Sequence, residues 1–219
     1  MNPNSNAGRP GKAEPRSIVY VVDDDADLRD VLSSLFRSVD LTVETFGSAA
    51  EFFAAKLAEV PSCLVLDVRL PGVSGLDFQG HLAKAGIRMP IVFMTGHADV
   101  PMSVRAMKAG AVDFLTKPFR DQDMLDAVYS ALEADRKRRD SEESVAGLND
   151  LYKSLTAREK EIMAHVVKGL MNKQIAAALG LSEITVKIHR GHVMRKMAVR
   201  SVPDLVRAAE RLGLPSIQP

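Results

Sequence analysis

Asp67 closes a short apolar run, Cys63-Leu64-Val65-Leu66, and is followed within five residues by Pro71-Gly72. Consecutive buried-type residues that end in a carboxylate and then a turn read as an interior parallel strand stopping at a loop. Three further runs end in residues able to do chemistry: 18–22 in Asp23-Asp24-Asp25, 91–94 in Thr95-Gly96, and 113–116 in Lys117-Pro118. A parallel sheet gathers all four strand ends on one edge, the edge at which such sheets bind ligands. Asp23, Asp24 and Asp67 crowded there repel one another unless a cation joins them, and an all-oxygen set beside a phosphoryl group suits Mg²⁺. Asp67 then has a task, in-line attack on phosphorus to give an aspartyl phosphate. Lys117 can neutralise the charge that develops, and the Thr95 hydroxyl can donate to a phosphoryl oxygen. The plainer alternative is an acidic edge of turn formers with one lysine salt bridge; the matched set of strand ends speaks against it.

The elements that position these residues follow from hydrophobic period. Strands are expected at 18–22, 41–45, 63–66, 90–94 and 113–116, alternating with helices at 26–38, 48–57, 75–84, 98–109 and from 121 onward. Alternation of this kind predicts an α/β fold, a doubly wound five-stranded parallel sheet with right-handed crossovers. Ahead of it, residues 1–16 are polar and rich in Pro, Gly and Asn, and are expected to be disordered. Behind it, 136–152 mixes charges of both signs at high density and reads as a linker, helical in part.

A second pattern opens at Thr156, three residues before Glu159, the spacing of a capping box. A helix to Val167 stops at Gly169, a shorter one from Asn172 ends at Gly180, Ser182 caps a third, and Pro203 lies in the first turn of a fourth. Four short helices with a glycine turn between the middle pair predict a second, all-α domain of helix-turn-helix type. In it Ala176 must be small where two helices approach, with Ile175, Leu179, Leu181 and Val186 as the core between them. The third helix carries Lys187, Arg190, Arg195 and Lys196 toward phosphates or base edges. His189 and His192 lie three apart, but with no Cys in the module they are not read as a metal site, and His165 carries no interpretable signal.

Charge separates the two patterns. The chain of 219 residues has a net charge of only +1, yet residues 17–120 carry 10 Lys/Arg against 13 Asp/Glu, 121–150 carry 4 against 9, and 151–219 carry 12 against 5. An acidic front and a basic tail point to a polyanion as partner of the last third. With 46% hydrophobic residues, no run of membrane-spanning length and no apolar leader, a soluble cytoplasmic protein is expected. Cys63 is the single cysteine and reads as a core residue.

The segments VVDDD, LDVRLPGVSG and FMTGHADVPMSVRAMKAGAVDFLTKPF resemble the receiver domain of two-component response regulators, which is flavodoxin-like. The segment LTAREKEIMAHVVKGLMNKQIAAALGLSEITVKIHRGHVMRKM resembles the LuxR-type helix-turn-helix of the FixJ/NarL class, nearest to the FixJ-type subgroup. With 1–16 read as disordered and 136–152 as a linker, the resemblance implies a receiver at 17–135 and a DNA-binding domain at 153–219. It makes Asp67 the phosphoacceptor, with Asp24 and Asp67 as direct Mg²⁺ ligands, Asp23 a ligand through water and the Arg69 carbonyl another. Thr95 and Phe114 take the two switch positions, and Lys117 the family's lysine. The N–H groups of Val68 and Gly96 help hold the phosphoryl group. Phe114 has no hydroxyl, and plain core packing is its alternative. In the second domain Lys173 and Thr185 match positions that touch the DNA backbone, and Lys187 and Ile188 match base-reading positions. Gly191 departs from the lysine common there in the NarL branch.

The function so implied is a transcription factor, not an enzyme, that accepts a phosphoryl group from a sensor histidine kinase and then dimerises and binds DNA. A cis Lys117–Pro118 peptide is expected with it. Two alternatives stand beside it: a metal-dependent phosphohydrolase using Asp67, and a DNA-binding regulator that needs no phosphorylation. Against the first, Arg69 stands where haloacid-dehalogenase-type phosphatases place a second Asp.

Overall fold

The computed structural model describes residues 17–96 and 100–215. The expected disordered stretch 1–16 lies outside the described residues, as does the start of the helix expected at 98–109. The chain divides into two compact units that meet at Arg139 and Asp140.

In the first unit, strands β1 (Ile18–Val22), β2 (Thr42–Phe46), β3 (Ser62–Asp67), β6 (Ile91–Thr95) and β7 (Asp113–Thr116) form one parallel sheet in the order β2-β1-β3-β6-β7. Strands β1, β3 and β6 are buried along their whole length, as uninterrupted apolar runs require when both faces are covered. Helices α1 (Ala26–Ser38), α2 (Ala49–Ala54), α3 (Gly75–Lys84), α4 (Val100–Lys108) and α5 (Asp121–Lys153) alternate with them. One core layer gathers Tyr20, Leu64, Leu66, Phe52, Phe78 and Phe93. The opposite layer gathers Val19, Val21, Val65, Leu32, Phe36, Met124 and Val128. Cys63 lies in that second layer, free and fully buried.

Three departures from the sequence reading have identifiable causes. Helix α2 ends at Ala54 rather than near 57 because the Ala58 N–H is donated to the Tyr20 hydroxyl at 3.0 Å, which holds the chain off the helix. The stretch after Asp67 is a two-residue antiparallel hairpin, β4 (Arg69–Leu70) against β5 (Val73–Ser74), not a plain loop. Residues 136–152 are helical throughout, within α5. Their mixed charges sit at helical spacing, with Lys137 on Glu133 at 3.3 Å, and Arg138 and Arg139 on the buried Asp135 at 2.6 and 2.7 Å. Asp135 also accepts the Ser62 N–H at the start of β3, 3.0 Å away, so that turn of the helix is bound to the sheet.

The second unit contains α6 (Ala157–Val167), α7 (Asn172–Leu179), α8 (Glu183–Lys196) and α9 (Val202–Arg211). The Thr156–Glu159 capping box is formed, Ser182 and Ser201 cap α8 and α9, and Pro203 stands in the first turn of α9. Gly180 ends α7 at φ 65°, a conformation that costs a side chain but not glycine. Ile175, Val186 and Val193 are fully buried, Ala176 nearly so, and Leu179, Leu181, Leu148, Leu151 and Tyr152 pack against them.

Candidate functional site: the acidic pocket and the reading helix

Parallel pairing puts the carboxyl ends of β1, β3, β6 and β7 on one edge, with Asp67 registered to Met94 and Thr95 to Thr116. There the Lys117 ammonium donates to Asp23 Oδ2 at 2.6 Å and to Asp67 Oδ2 at 2.8 Å. The Lys117–Pro118 peptide is cis. Oxygens of Asp23, Asp24 and Asp67 lie within 4.8 Å of one another. The three consecutive aspartates have separate jobs. Asp23 is fully buried, Asp24 is exposed at the pocket, and Asp25 caps α1 by accepting the Asp27 and Leu28 N–H groups. Burial pushes the Asp23 carboxyl above its usual range, although Lys117 and the Asp25 N–H pull the other way. Burial would by itself lower Lys117, but the hydrogen bonds it donates to two carboxylates outweigh that and hold its pKa above the ordinary value. Three carboxylates against one lysine leave surplus negative charge, and all-oxygen donors fit a hard divalent cation.

The remaining predicted residues fall around this pocket. Thr95 is fully buried at the end of β6, and Gly96 follows it into solvent. Phe114 is half-buried on β7, its ring 6.4 Å from that of Phe93, and packs on the first core layer. The two amides that follow Asp67 have different partners. Val68 donates its N–H to the Met94 carbonyl at 3.0 Å, which continues the β3–β6 ladder by one step. It is the Arg69 N–H that reaches Asp67, at 2.9 Å from Oδ1, while the Arg69 side chain is exposed.

Two supporting residues were missed from the sequence. Gly75 donates its N–H to the Val68 carbonyl at 2.8 Å, and a Cβ there would stand 2.8 Å from both the Asp67 carbonyl oxygen and Val68 Cα. Its only sequence signal was the second glycine of Pro71-Gly72-Val73-Ser74-Gly75. Arg29, one turn into α1, donates to the Asp23 carbonyl at 2.6 Å and so steadies the acidic turn.

In the second unit, Lys173 on α7 and Lys187 on α8 are exposed, and Ile188 is 54% exposed. Thr185 shares a hydrogen bond with the capping Ser182 hydroxyl at 2.8 Å. Arg190 donates to Asn172 Oδ1 at 2.9 Å, bridging α8 to the first turn of α7. Glu159 brings a carboxylate to the histidine pair, within 4.8 Å of ligand atoms on His189 and His192. However, Lys196 already occupies the cation's place, 2.7 Å from Glu159 Oε2, and that bond with the Thr156 N–H pulls the Glu159 pKa down to about 2. This cluster is a closed structural tie between α6 and α8.

The matching families fall on these two units. Residues 19–129 match the model described as response regulator receiver domain, and 153–209 match that of bacterial regulatory proteins, luxR family. The chain belongs to the response regulators. It is 59% identical over 203 residues to nodulation protein W of Bradyrhizobium diazoefficiens, covering 93% of this chain and 89% of the relative. The transcriptional regulatory protein FixJ of Azorhizobium caulinodans is 41% identical over 201 residues, covering 91% and 95%. The solved response regulator StyR is 46% identical with a TM-score of 0.80, over 90% of this chain and 99% of that one. This response regulator therefore joins a receiver fold to a LuxR-type DNA-binding helix-turn-helix, and its relatives are transcriptional regulators. No helix among the described residues is long and apolar enough to cross a membrane.

Proposed function

We propose that Asp67 accepts a phosphoryl group from a sensor histidine kinase in a Mg²⁺-dependent reaction, and that this switches a cytoplasmic transcription factor. The observation that carries this reading is the lysine shared by two carboxylates, Asp23 and Asp67, beside a third, at one sheet edge. A carboxylate oxygen of Asp67 attacks phosphorus in line, the P–N bond to the donor imidazole breaks, and its electron pair leaves with the imidazole nitrogen. Lys117 follows the growing negative charge, and the Thr95 hydroxyl and the Gly96 N–H receive phosphoryl oxygens. The Arg69 N–H, already aimed at Asp67, steadies the carboxylate for attack. Asp23, Asp24, Asp67 and the Arg69 carbonyl would hold Mg²⁺, which when bound offsets the surplus charge and orients the phosphoryl oxygens.

Drawing Thr95 toward the new phosphate makes room for Phe114 to repack, which biases the α4–β7 face toward a symmetric dimer. Val104 and Met107, 44% and 46% exposed on α4, supply apolar surface for it. Two copies of α8 then meet adjacent half-sites, with Lys173, Thr185 and Arg190 toward phosphates and Lys187 and Ile188 toward bases. The domains implied are a receiver at 17–135, a joining segment at 136–152 and the DNA-binding domain at 153–219. The protein is a switch rather than an enzyme, holding its phosphoryl group instead of turning over substrate.

The test is a DNA-binding titration and a sedimentation run on wild type and Asp67→Asn, with and without a small-molecule phosphoryl donor, at one fixed salt concentration. Donor-stimulated binding and a doubled mass in wild type alone are expected. Equal stimulation of Asp67→Asn would overturn the assignment, and multiple turnover of phosphomonoesters would favour a phosphohydrolase.

A further inference from the structure

Helix α8 turns one face into its own core through Val186 and Val193, both fully buried. Ile184, Lys187, Ile188 and Gly191 share another face at i, i+3, i+4 and i+7 spacing, and all four are exposed. Ile184 is 73% exposed and Ile188 54%, so two large aliphatic side chains stand one turn apart in water with nothing of their own unit over them. Single exposed hydrophobics need no explanation, but a pair in register on a helix at a charged surface does. Glu183 precedes Ile184 and Lys187 lies between the two isoleucines, Lys173 on α7 and Arg195 near the end of α8 are exposed as well, and with 12 Lys/Arg against 5 Asp/Glu over 151–219 the surplus on this unit is cationic. The partner that fits is a polyanion bearing small apolar groups. The major groove of DNA is such a surface, and its apolar group is the thymine C5-methyl.

We propose that Ile184 is a specificity-determining residue that, with Ile188, contacts thymine methyl groups in the major groove. The inference rests on the DNA-binding reading of this unit and extends the reading face beyond Lys187 and Ile188 into the first turn of α8. That turn is the part of a recognition helix that meets base edges. It is held in place, because Ser182 accepts the Thr185 N–H at 3.1 Å and shares a second bond with the Thr185 hydroxyl. One turn further along, Gly191 has no side chain to offer. Base reading is therefore concentrated at 184, 187 and 188, and each half-site places a T·A pair against Ile184.

The experiment uses the full-length protein with a phosphoryl donor. Duplexes are selected from a randomised library, and the best is resynthesised with deoxyuridine in place of each thymine in turn. Wild type is expected to weaken by about fourfold at the one or two positions where the lost methyl was covered. Ile184→Ala should lose a similar factor on the thymine duplex and be indifferent to the methyl at one of those positions. Because Ile184 is mostly exposed, the variant should fold, which circular dichroism checks. Wild type indifferent to every deoxyuridine, or Ile184→Ala as methyl-sensitive as wild type, would overturn the proposal. A fall in sedimenting mass with unchanged DNA affinity would also overturn it, by assigning Ile184 to contact between copies. Failure of wild type to enrich any duplex would instead refute the DNA-binding reading, and this proposal with it.

Discussion

Each compact unit seats a lysine ammonium against a buried carboxylate, and the two carboxylates respond in opposite directions. In the receiver unit the Asp23 pKa rises, because burial outweighs a lysine that must also serve Asp67. In the helical unit the Glu159 pKa falls to about 2, because Lys196 and the Thr156 N–H are its own. The helical cluster is balanced and closed, a tie that holds α6 to α8. The receiver pocket is left short of positive charge, which is the condition in which a cation or the capture of a phosphoryl group gains most. A lysine–carboxylate pair at similar distance thus does structural work in one place and chemistry in the other, and the count of compensating groups separates them.

Removing either of two charges from the receiver pocket gives the largest expected effects. Asp67→Asn is expected to lower donor-dependent phosphorylation by at least about a hundredfold, because the nucleophile is gone. It should nonetheless leave the thermal midpoint unchanged, and Asp23→Asn should raise it, since an ionised Asp23 with a raised pKa disfavours the folded state at neutral pH. Phosphate incorporation and thermal unfolding at pH 7 check both. A drop in stability for Asp23→Asn would break the comparison.

The pocket keeps its shape through backbone packing rather than through its charges, so a methyl group should cost what a lost charge does not. Gly75→Ala drives a Cβ to 2.8 Å from main-chain atoms of Asp67 and Val68, neither of which can swing aside. A loss of about 1–3 kcal/mol is expected by denaturant titration, with slower phosphorylation. Wild-type stability and rate in this variant would show that the hairpin after Asp67 can shift freely.

Added Mg²⁺ should distinguish the two sites directly. At tenfold over its dissociation constant a ligand specific for the folded state contributes about 1.4 kcal/mol. Wild type should gain such an increment in thermal unfolding, Asp23→Asn should lose most of it, and Glu159→Gln should keep it in full. An equal gain in all three proteins would remove the acidic pocket as the place of binding.

Much of this was legible in the sequence, for reasons that are local. Asp67, Thr95 and Lys117 each follow a run of three or more apolar or strand-forming residues, and parallel pairing needs nothing more to bring them to one edge. Thr156, Ser182 and Gly180 declared their helix ends by chemistry that acts within a few residues. What escaped depends on partners distant in sequence or on main-chain direction. Asp135 binds the N–H of Ser62, 73 residues away, just ahead of the charge-dense stretch 136–152, which was read as helical only in part and is helical throughout. Gly75 is required by an approach between two backbones that no period encodes. The Val68 N–H, expected at a phosphoryl group, here continues the ladder one step past the apolar run, and the Arg69 N–H is the one that meets the carboxylate. Nothing in the spacing of the histidine pair pointed to Glu159, which the fold brings to it together with Lys196.

Glu159→Gln tests the balanced side of the comparison and has the smallest expected effect. The glutamine can still accept the Thr156 N–H, so the capping geometry survives, and what is lost is the charge assistance to that bond and to Lys196. A destabilisation of about 1 kcal/mol at pH 7 is expected. The pH dependence gives the better signature. Glu159 has a folded pKa of about 2 against an ordinary 4.5. Its contribution is therefore complete above pH 4.5 and lost as pH falls toward 2, because the unfolded chain takes up the proton first. Wild type and Glu159→Gln should converge in stability across that window, while Asp23, shifted the other way, makes the receiver unit less stable as pH rises through its folded pKa. Because the two units are distinct, unfolding should be followed by backbone hydrogen exchange, which reads each separately. A difference between wild type and Glu159→Gln that persists undiminished at pH 2 would mean that the buried glutamate acts through shape and hydrogen bonding alone, with its charge contributing nothing.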